Sequence, residues 1–196
     1  LAAPVDLGVE YVDATAVKAR VHHPVDWLLL CDAVRTLTLA ITQVRKHGIY
    51  SRMPKAPEEY LWAMNKLCIE MTHARRTADA VKKRKNVLRR MKKQVRVVEK
   101  LARGHLAKLR QQGATSALGI AEQLALERKF TVILDQINRV IHQAHERIIG
   151  GRRVNNGDKI LSLYEPDMHV IVRGKAGAEV EFGNTLFLAE QADGLI

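Results

Sequence analysis

The chain has 196 residues, with 32 Lys and Arg against 21 Asp and Glu, a formal net charge of +11 and a pI near 9.9. That length suits one domain, or one and a half, with a substantial core, and that charge favours polyanionic partners such as nucleic acid or an anionic membrane surface. Trp27 to Cys31, the longest apolar run, falls far short of the roughly 20 residues of a membrane helix, and nothing reads as a signal peptide.

In chain order, Val9 to Val17 (VEYVDATAV) reads as a short apolar strand with Asp13 set in its middle, and the alternation from Ala16 to Val21 fits a half-buried strand or its fraying end. The period then changes. From Pro24 to Gly150 apolar residues recur at three and four. A first helix is expected from His23-Pro24 through Trp27, Leu30, Val34, Leu37 and Ile41 to a stop at Gly48. Residues 50–57 form a proline-marked connection. A second helical stretch begins at Pro57-Glu58-Glu59 and runs toward Gln112, a length of about 80 Å that predicts a break near Thr77.

The second half of that stretch carries a heptad-like seam of Leu88, Met91, Val95, Val98, Ala102, His105 and Leu109. After Gly113, Thr115-Ser116 offers a cap for a third helix with a matching stripe of Leu126, Phe130, Ile133, Ile137, Val140 and Ala144, ending at Gly150-Gly151. Two such helices joined by a short glycine turn predict an antiparallel hairpin.

From Gly151 the pattern returns to strand period, with β-type runs at 159–163, 168–172, 180–182 and 185–189 and turns at 165–167 and 174–177. An opening strand of about ten residues forms no stable sheet alone. It is expected to pair with the strands after residue 159. The expected fold class is therefore α+β: residues 1–22 open a sheet, 23–150 are a helical insertion, and 151–196 supply further strands. The chain starts at Leu1, has no methionine before Met53 and stops inside an apolar run, so it reads as a piece of a longer protein.

Three features carry chemistry. Asp13 on its strand is either a strand-end residue capping a turn or an anionic oxygen ligand for a hard cation. Residues 82–100, KKRKNVLRRMKKQVRVVEK, hold ten Lys or Arg among 19 and one acid, a face that repels itself and gains by displacing counterions from DNA phosphates. The candidate backbone contacts are Lys82, Lys83, Arg84, Lys85, Arg89, Arg90, Lys92, Lys93 and Arg96, which would position a duplex rather than read bases. No aromatic interleaves with them, which argues against single-strand stacking. Lys159, Arg173 and Lys175 are lesser candidates for the same backbone contact.

His22-His23-Pro24-Val25-Asp26 resembles a metal cluster only superficially. Adjacent histidines on an extended segment point opposite ways, and Asp26 reads as a first-turn acid favoured by the helix dipole. Cys31 and Cys68 have no CxxC or CxxH spacing and are expected as two buried free thiols in a reducing cytosol.

VDATAV, then VHHPVDWLLLCDAVRTL, and far downstream RGKAGAEVEFGNTLFLAEQADGLI together resemble insertion-sequence DDE transposases with an RNase H-like core. The resemblance covers about residues 9–45 and 158–196, with the helical block matched only in character. It implies an incomplete RNase H-like sheet and places Asp13 as the first carboxylate of the catalytic triad, with Thr15 at the small or hydroxyl position beside it. Glu190, at the end of a late strand, is either close to the metal site or a strand-end residue.

In that family three carboxylates hold two divalent ions, Mg2+ or Mn2+, that activate water for strand cleavage and then a 3′-hydroxyl for transfer. The second aspartate and the glutamate would lie beyond Ile196, so this chain alone is expected to be inactive. The resemblance further implies double-stranded DNA at element ends as partner, self-association into a possible homodimer, no membrane, and a bacterial, cytoplasmic, nucleoid-associated location. The rival is a non-enzymatic basic coiled-coil-like protein that binds nucleic acid or scaffolds partners, with the terminal strands as a small docking platform. It explains the helices and charge equally well and leaves Asp13 and GKAGAEVEFGN unexplained.

Overall fold

A computed structural model describes residues 10–18, 25–74, 76, 78–113, 118–165, 167–175 and 178–191. The chain divides into two compact units, one of Leu1–His23 with Glu165–Ile196 and the other of Pro24–Tyr164. It is mostly helical with a small antiparallel sheet, an α+β chain in which the helical unit is inserted between the first strand and the rest.

In the helical unit α1 spans Asp26–Lys46, α2 Pro57–Ala74, α3 Ala80–Gln112 and α4 Ile120–Ala144. α1 packs against all three others and supplies a nearly continuous buried face of Leu30, Val34, Leu37, Ile41 and Val44. By length and composition α1 is apolar enough to cross a bilayer, yet most of it is buried inside this bundle. It ends at Lys46, and the chain turns away at Gly48, whose φ of +78° is a left-handed conformation that glycine adopts without steric cost.

α2 starts where proline and acids predict: Pro57 opens it, and the Glu59 carboxylate accepts from the Ala56 N–H at 3.1 Å, satisfying a donor of the first turn. The expected break in the long helical stretch falls between Ala74 and Ala80.

All seven seam residues of α3 and all six stripe residues of α4 are buried. Contacts run in opposite order along the two helices, Lys92 to His145, Arg96 to Asn138 and Arg110 to Glu127, so the pair is the antiparallel hairpin that the matched periods predict. Gly119 is the N-cap of α4, which begins at Ile120; Thr115 and Ser116, the expected caps, lie outside the described residues. A π-helical segment, His145–Gly150, continues α4 and ends at Gly151 in the left-handed region, φ +67°.

The sheet unit contains β1 Glu10–Lys18, β2 His169–Lys175 and β3 Ala178–Gln191, in the order β1-β3-β2 with both pairings antiparallel. β3 is one strand where two runs, 180–182 and 185–189, were expected. Gly183 does not interrupt it; it pairs with Lys18 on one side and His169 on the other, and is buried where the two neighbours meet.

The expected strand at 159–163 is not one. A 3-10 turn at Asn156–Asp158 leads into an extended segment whose Ile160 and Leu163 join the core of the helical unit. Its backbone groups bond side chains instead of a neighbouring strand. Gln143 pairs with both the N–H and the carbonyl of Ile160, and Gln136, two turns earlier on the same face of α4, donates to the Leu163 carbonyl at 3.3 Å. Residues 151–164 therefore belong with the helices, and the sheet resumes only after Tyr164.

Candidate nucleic-acid interface

α3 sorts its cations by helical geometry. With the seam turned inward, Lys82, Lys85, Arg89, Lys93, Arg96 and Lys100 follow one another at steps of three and four and share a stripe on one flank. The stripe spans about 27 Å at 1.5 Å per residue.

Within the basic run the environment differs sharply from residue to residue. Lys82, Lys83, Arg89 and Lys93 are exposed and make no ion pair or side-chain hydrogen bond among the described residues. Arg84 and Lys85 are half-buried. Arg90 donates to both carboxylate oxygens of Glu70 on α2, at 2.6 and 2.8 Å. Lys92 is half-buried with its Nζ 3.0 Å from His145 Nδ1, and Arg96 reaches Glu99 at 2.7 Å and Asn138 at 2.6 Å.

The run is thus less self-repelling than it reads in isolation, because Glu70, twenty residues earlier in sequence, neutralises one of its arginines. Its single acid also does more than dilute charge. Glu99 is buried and bonded by Arg96 and Arg103. Burial works against its charge, but the two guanidinium groups outweigh that cost and hold the carboxyl below its ordinary range. This pairing fixes Arg96 in the stripe.

Further cations lie outside the run. Arg139 and His142 are exposed on α4, and Arg147, Arg152 and Arg153 cluster around the π segment and the turn after it. Lys159 is half-buried, with Nζ 2.7 Å from Asn156 Oδ1. The sequence signal was the RR pair directly after the tandem glycines at 150–151, a motif too short to stand out beside the longer charge run.

In the sheet unit, β1 pairs Tyr11 with Glu190 and Asp13 with Leu188. Directly paired residues share a sheet face and faces alternate along a strand, so positions 13 and 190 are diagonal neighbours on one face, roughly 7 Å apart. Their side chains lie outside what the structure describes, as do those of Arg173 and Lys175, and the His22-His23-Pro24 segment is likewise outside the described residues.

Among the described residues no group of three or more His, Cys, Asp or Glu comes together. Asp13 and Glu190 offer at most two carboxylate positions, which is not a donor set for a pair of divalent ions. Both cysteines are free; Cys31 is buried, with Sγ 3.5 Å from Asn65 Oδ1, and Cys68 is half-buried rather than fully enclosed. No family model matches the chain, and no curated protein or solved structure matches it.

Proposed function

We propose that the chain is part of an insertion-sequence DDE transposase, with the α1–α4 unit gripping duplex DNA by its phosphates and the sheet unit belonging to an RNase H-like catalytic core. The observation that carries the reading is the pairing of β1 with β3. The strand bearing Asp13 and the strand bearing Glu190 are the two ends of the chain, yet they form one antiparallel ladder with the helical unit as an insertion between them. In a basic helical scaffold the terminal strands would serve only as a small docking platform, which gives no reason for an acid on each of the two paired strands.

Two further features support it. Exposed apolar residues on β3, Leu186, Phe187 and Leu188, fit a sheet that other elements cover. The cation stripe of α3 is about 27 Å long, a row suited to several phosphates of a duplex, and Lys82, Arg89 and Lys93 within it have no ion pair among the described residues. In this reading Asp13 is one metal-binding carboxylate, Mg2+ or Mn2+ supplies the Lewis acidity for phosphoryl transfer, and the remaining carboxylates come from outside this chain. The location is the bacterial nucleoid, and a homodimer pairs two element ends.

The test is Asp13→Asn in the protein extended along its reading frame. It abolishes Mg2+-dependent cleavage and leaves DNA affinity largely intact, and retained cleavage removes Asp13 from the mechanism. The chain by itself cleaves no DNA with either metal; turnover by purified material overturns the argument from the incomplete triad.

The compactness of the Pro24–Tyr164 unit favours a second reading, a basic helical module that binds nucleic acid without catalysis. The same extended protein separates the two. No metal-dependent cleavage, with duplex binding retained, selects the module.

A further inference from the structure

Beyond the α3 stripe lies a second basic feature, a cleft of about 530 Å3 lined by Arg147, Arg152, Arg153 and Lys159 together with Asn155 and Asn156. Among the described residues no carboxylate lines it. We propose that this cleft is a phosphate-binding site, and that it takes a backbone phosphate of the duplex lying along the α3 stripe. The inference rests on the duplex-binding reading of the helical unit and adds a specific site to it.

The cleft is built by the backbone. The π segment ends at Gly151, whose φ of +67° turns the chain back so that Arg152 and Arg153 return beside Arg147. An L side chain there is strained.

Two of the arginines are held in place by carboxylates behind them. Arg147 donates to Asp26 Oδ1 at 2.8 Å, with Asp26 buried at the start of α1, and Arg152 bonds both carboxylate oxygens of Glu146. A guanidinium has five N–H donors, so each retains donors for an anion after its orientation is fixed. Arg153 is exposed and has no hydrogen bond or ion pair among the described residues. Asp26 and Glu146 offset two of the four cations, and the cleft keeps a positive excess. Oriented guanidinium groups, amide donors and net positive charge are the chemistry that recognises a phosphate.

The cleft is also continuous with the stripe. Arg96 donates to Asn138 at 2.6 Å, and Asn138 lines a groove that Arg139, His142 and Arg153 also line, together with the carboxylates of Glu146 and Asp158. Arg153 lines this groove and the cleft alike. A duplex backbone leaving α3 at Arg96 therefore crosses a groove of mixed charge, with Arg139 and Arg153 against Glu146 and Asp158, before it reaches the four cations.

The test is duplex binding by the full chain, followed by fluorescence anisotropy across a KCl series, with Arg153→Gln plus Lys159→Gln against wild type. The slope of log K on log salt becomes shallower by about 1.8, from two lost contacts at about 0.9 each, while Arg128→Gln at the opposite end of α4 leaves it unchanged. Should the double variant fail to fold, Arg153→Gln alone shows half the change. A steep wild-type slope that neither variant alters overturns the cleft and leaves the α3 reading standing.

Absence of duplex binding by the wild type defeats the α3 reading instead. Inorganic pyrophosphate, titrated while the arginine Nε–H resonances are followed, then decides the cleft alone. Selective shifts at Arg147, Arg152 and Arg153 uphold a site for free phosphate compounds, and uniform or absent shifts overturn it.

Discussion

Gln143 holds the backbone of Ile160 from both sides: its Oε1 accepts from the Ile160 N–H at 2.8 Å and its Nε2 donates to the Ile160 carbonyl at 3.1 Å. The same Nε2 lies 2.8 Å from Asp26 Oδ1, so one buried amide joins α1, α4 and the segment that leaves the bundle. Gln143→Leu keeps the volume and removes every one of these bonds, leaving a backbone donor and acceptor buried without partners. The expected cost is about 2–4 kcal/mol, read as a lower urea midpoint with an unchanged m-value. An unaltered midpoint would mean that water replaces the amide.

Acid weakens the bundle in two separate windows. His105 is fully buried on the α3 seam, its Nδ1 2.8 Å from the Leu101 carbonyl and its Nε2 without a hydrogen-bond partner among the described residues. Burial lowers its pKa from the ordinary 6.5, an effect that its bond to Leu101 opposes and the charge of Arg45 reinforces. The unfolded chain therefore takes up a proton first. Stability is full above about 6.5 and declines as pH falls from there toward the lower folded value.

Glu99 is depressed below its ordinary 4.5, so its contribution persists above that pH and is lost only as pH falls through the lower folded value. Denaturation midpoints measured from pH 7.5 to 3.5 resolve the two. His105→Gln removes the upper decline and Glu99→Gln the lower one. A decline near pH 6 that survives His105→Gln would assign it to another group.

Phe130 is fully buried on the α4 stripe, in the same core as Met91 and Val95 of α3. Phe130→Ala is expected to cost about 3–5 kcal/mol, because a rigid helical pair closes poorly over the space left by a ring. Calorimetry checks it. A loss below about 1 kcal/mol would show that the α3–α4 seam is loosely packed.

Much of the helical unit was legible in the sequence because its signal is periodic and local. The α3 seam and the α4 stripe were readable residue by residue, and so were the proline and acids opening α2 and the glycines closing α1 and the π segment. The β1 pairing with a late strand was legible by elimination, since a lone strand has nowhere else to bond.

Segment 159–163 was not legible. Ile160, Leu161 and Leu163 look like a strand, but whether their backbone bonds go to a neighbouring strand or to Gln136 and Gln143 is a tertiary fact. The basic run was likewise only half readable. Its composition showed ten cations, while the pairing of Arg90 with Glu70 and the linking of Lys92 and Arg96 to α4 depend on helix packing. What the sequence concealed was which cations remain available.

Availability is what the central claim rests on, and the salt dependence of duplex binding tests it most directly. Wild-type protein is compared with Lys82→Gln/Arg89→Gln/Lys93→Gln, three exposed cations without side-chain partners among the described residues, and with Arg90→Gln, whose guanidinium is already committed to Glu70. The triple variant is predicted to lower the slope of log K on log salt by about 2.7, at about 0.9 per contact, and Arg90→Gln to change it by less than one contact's share. A triple-variant slope equal to that of wild type would contradict the assignment of α3 to the DNA backbone.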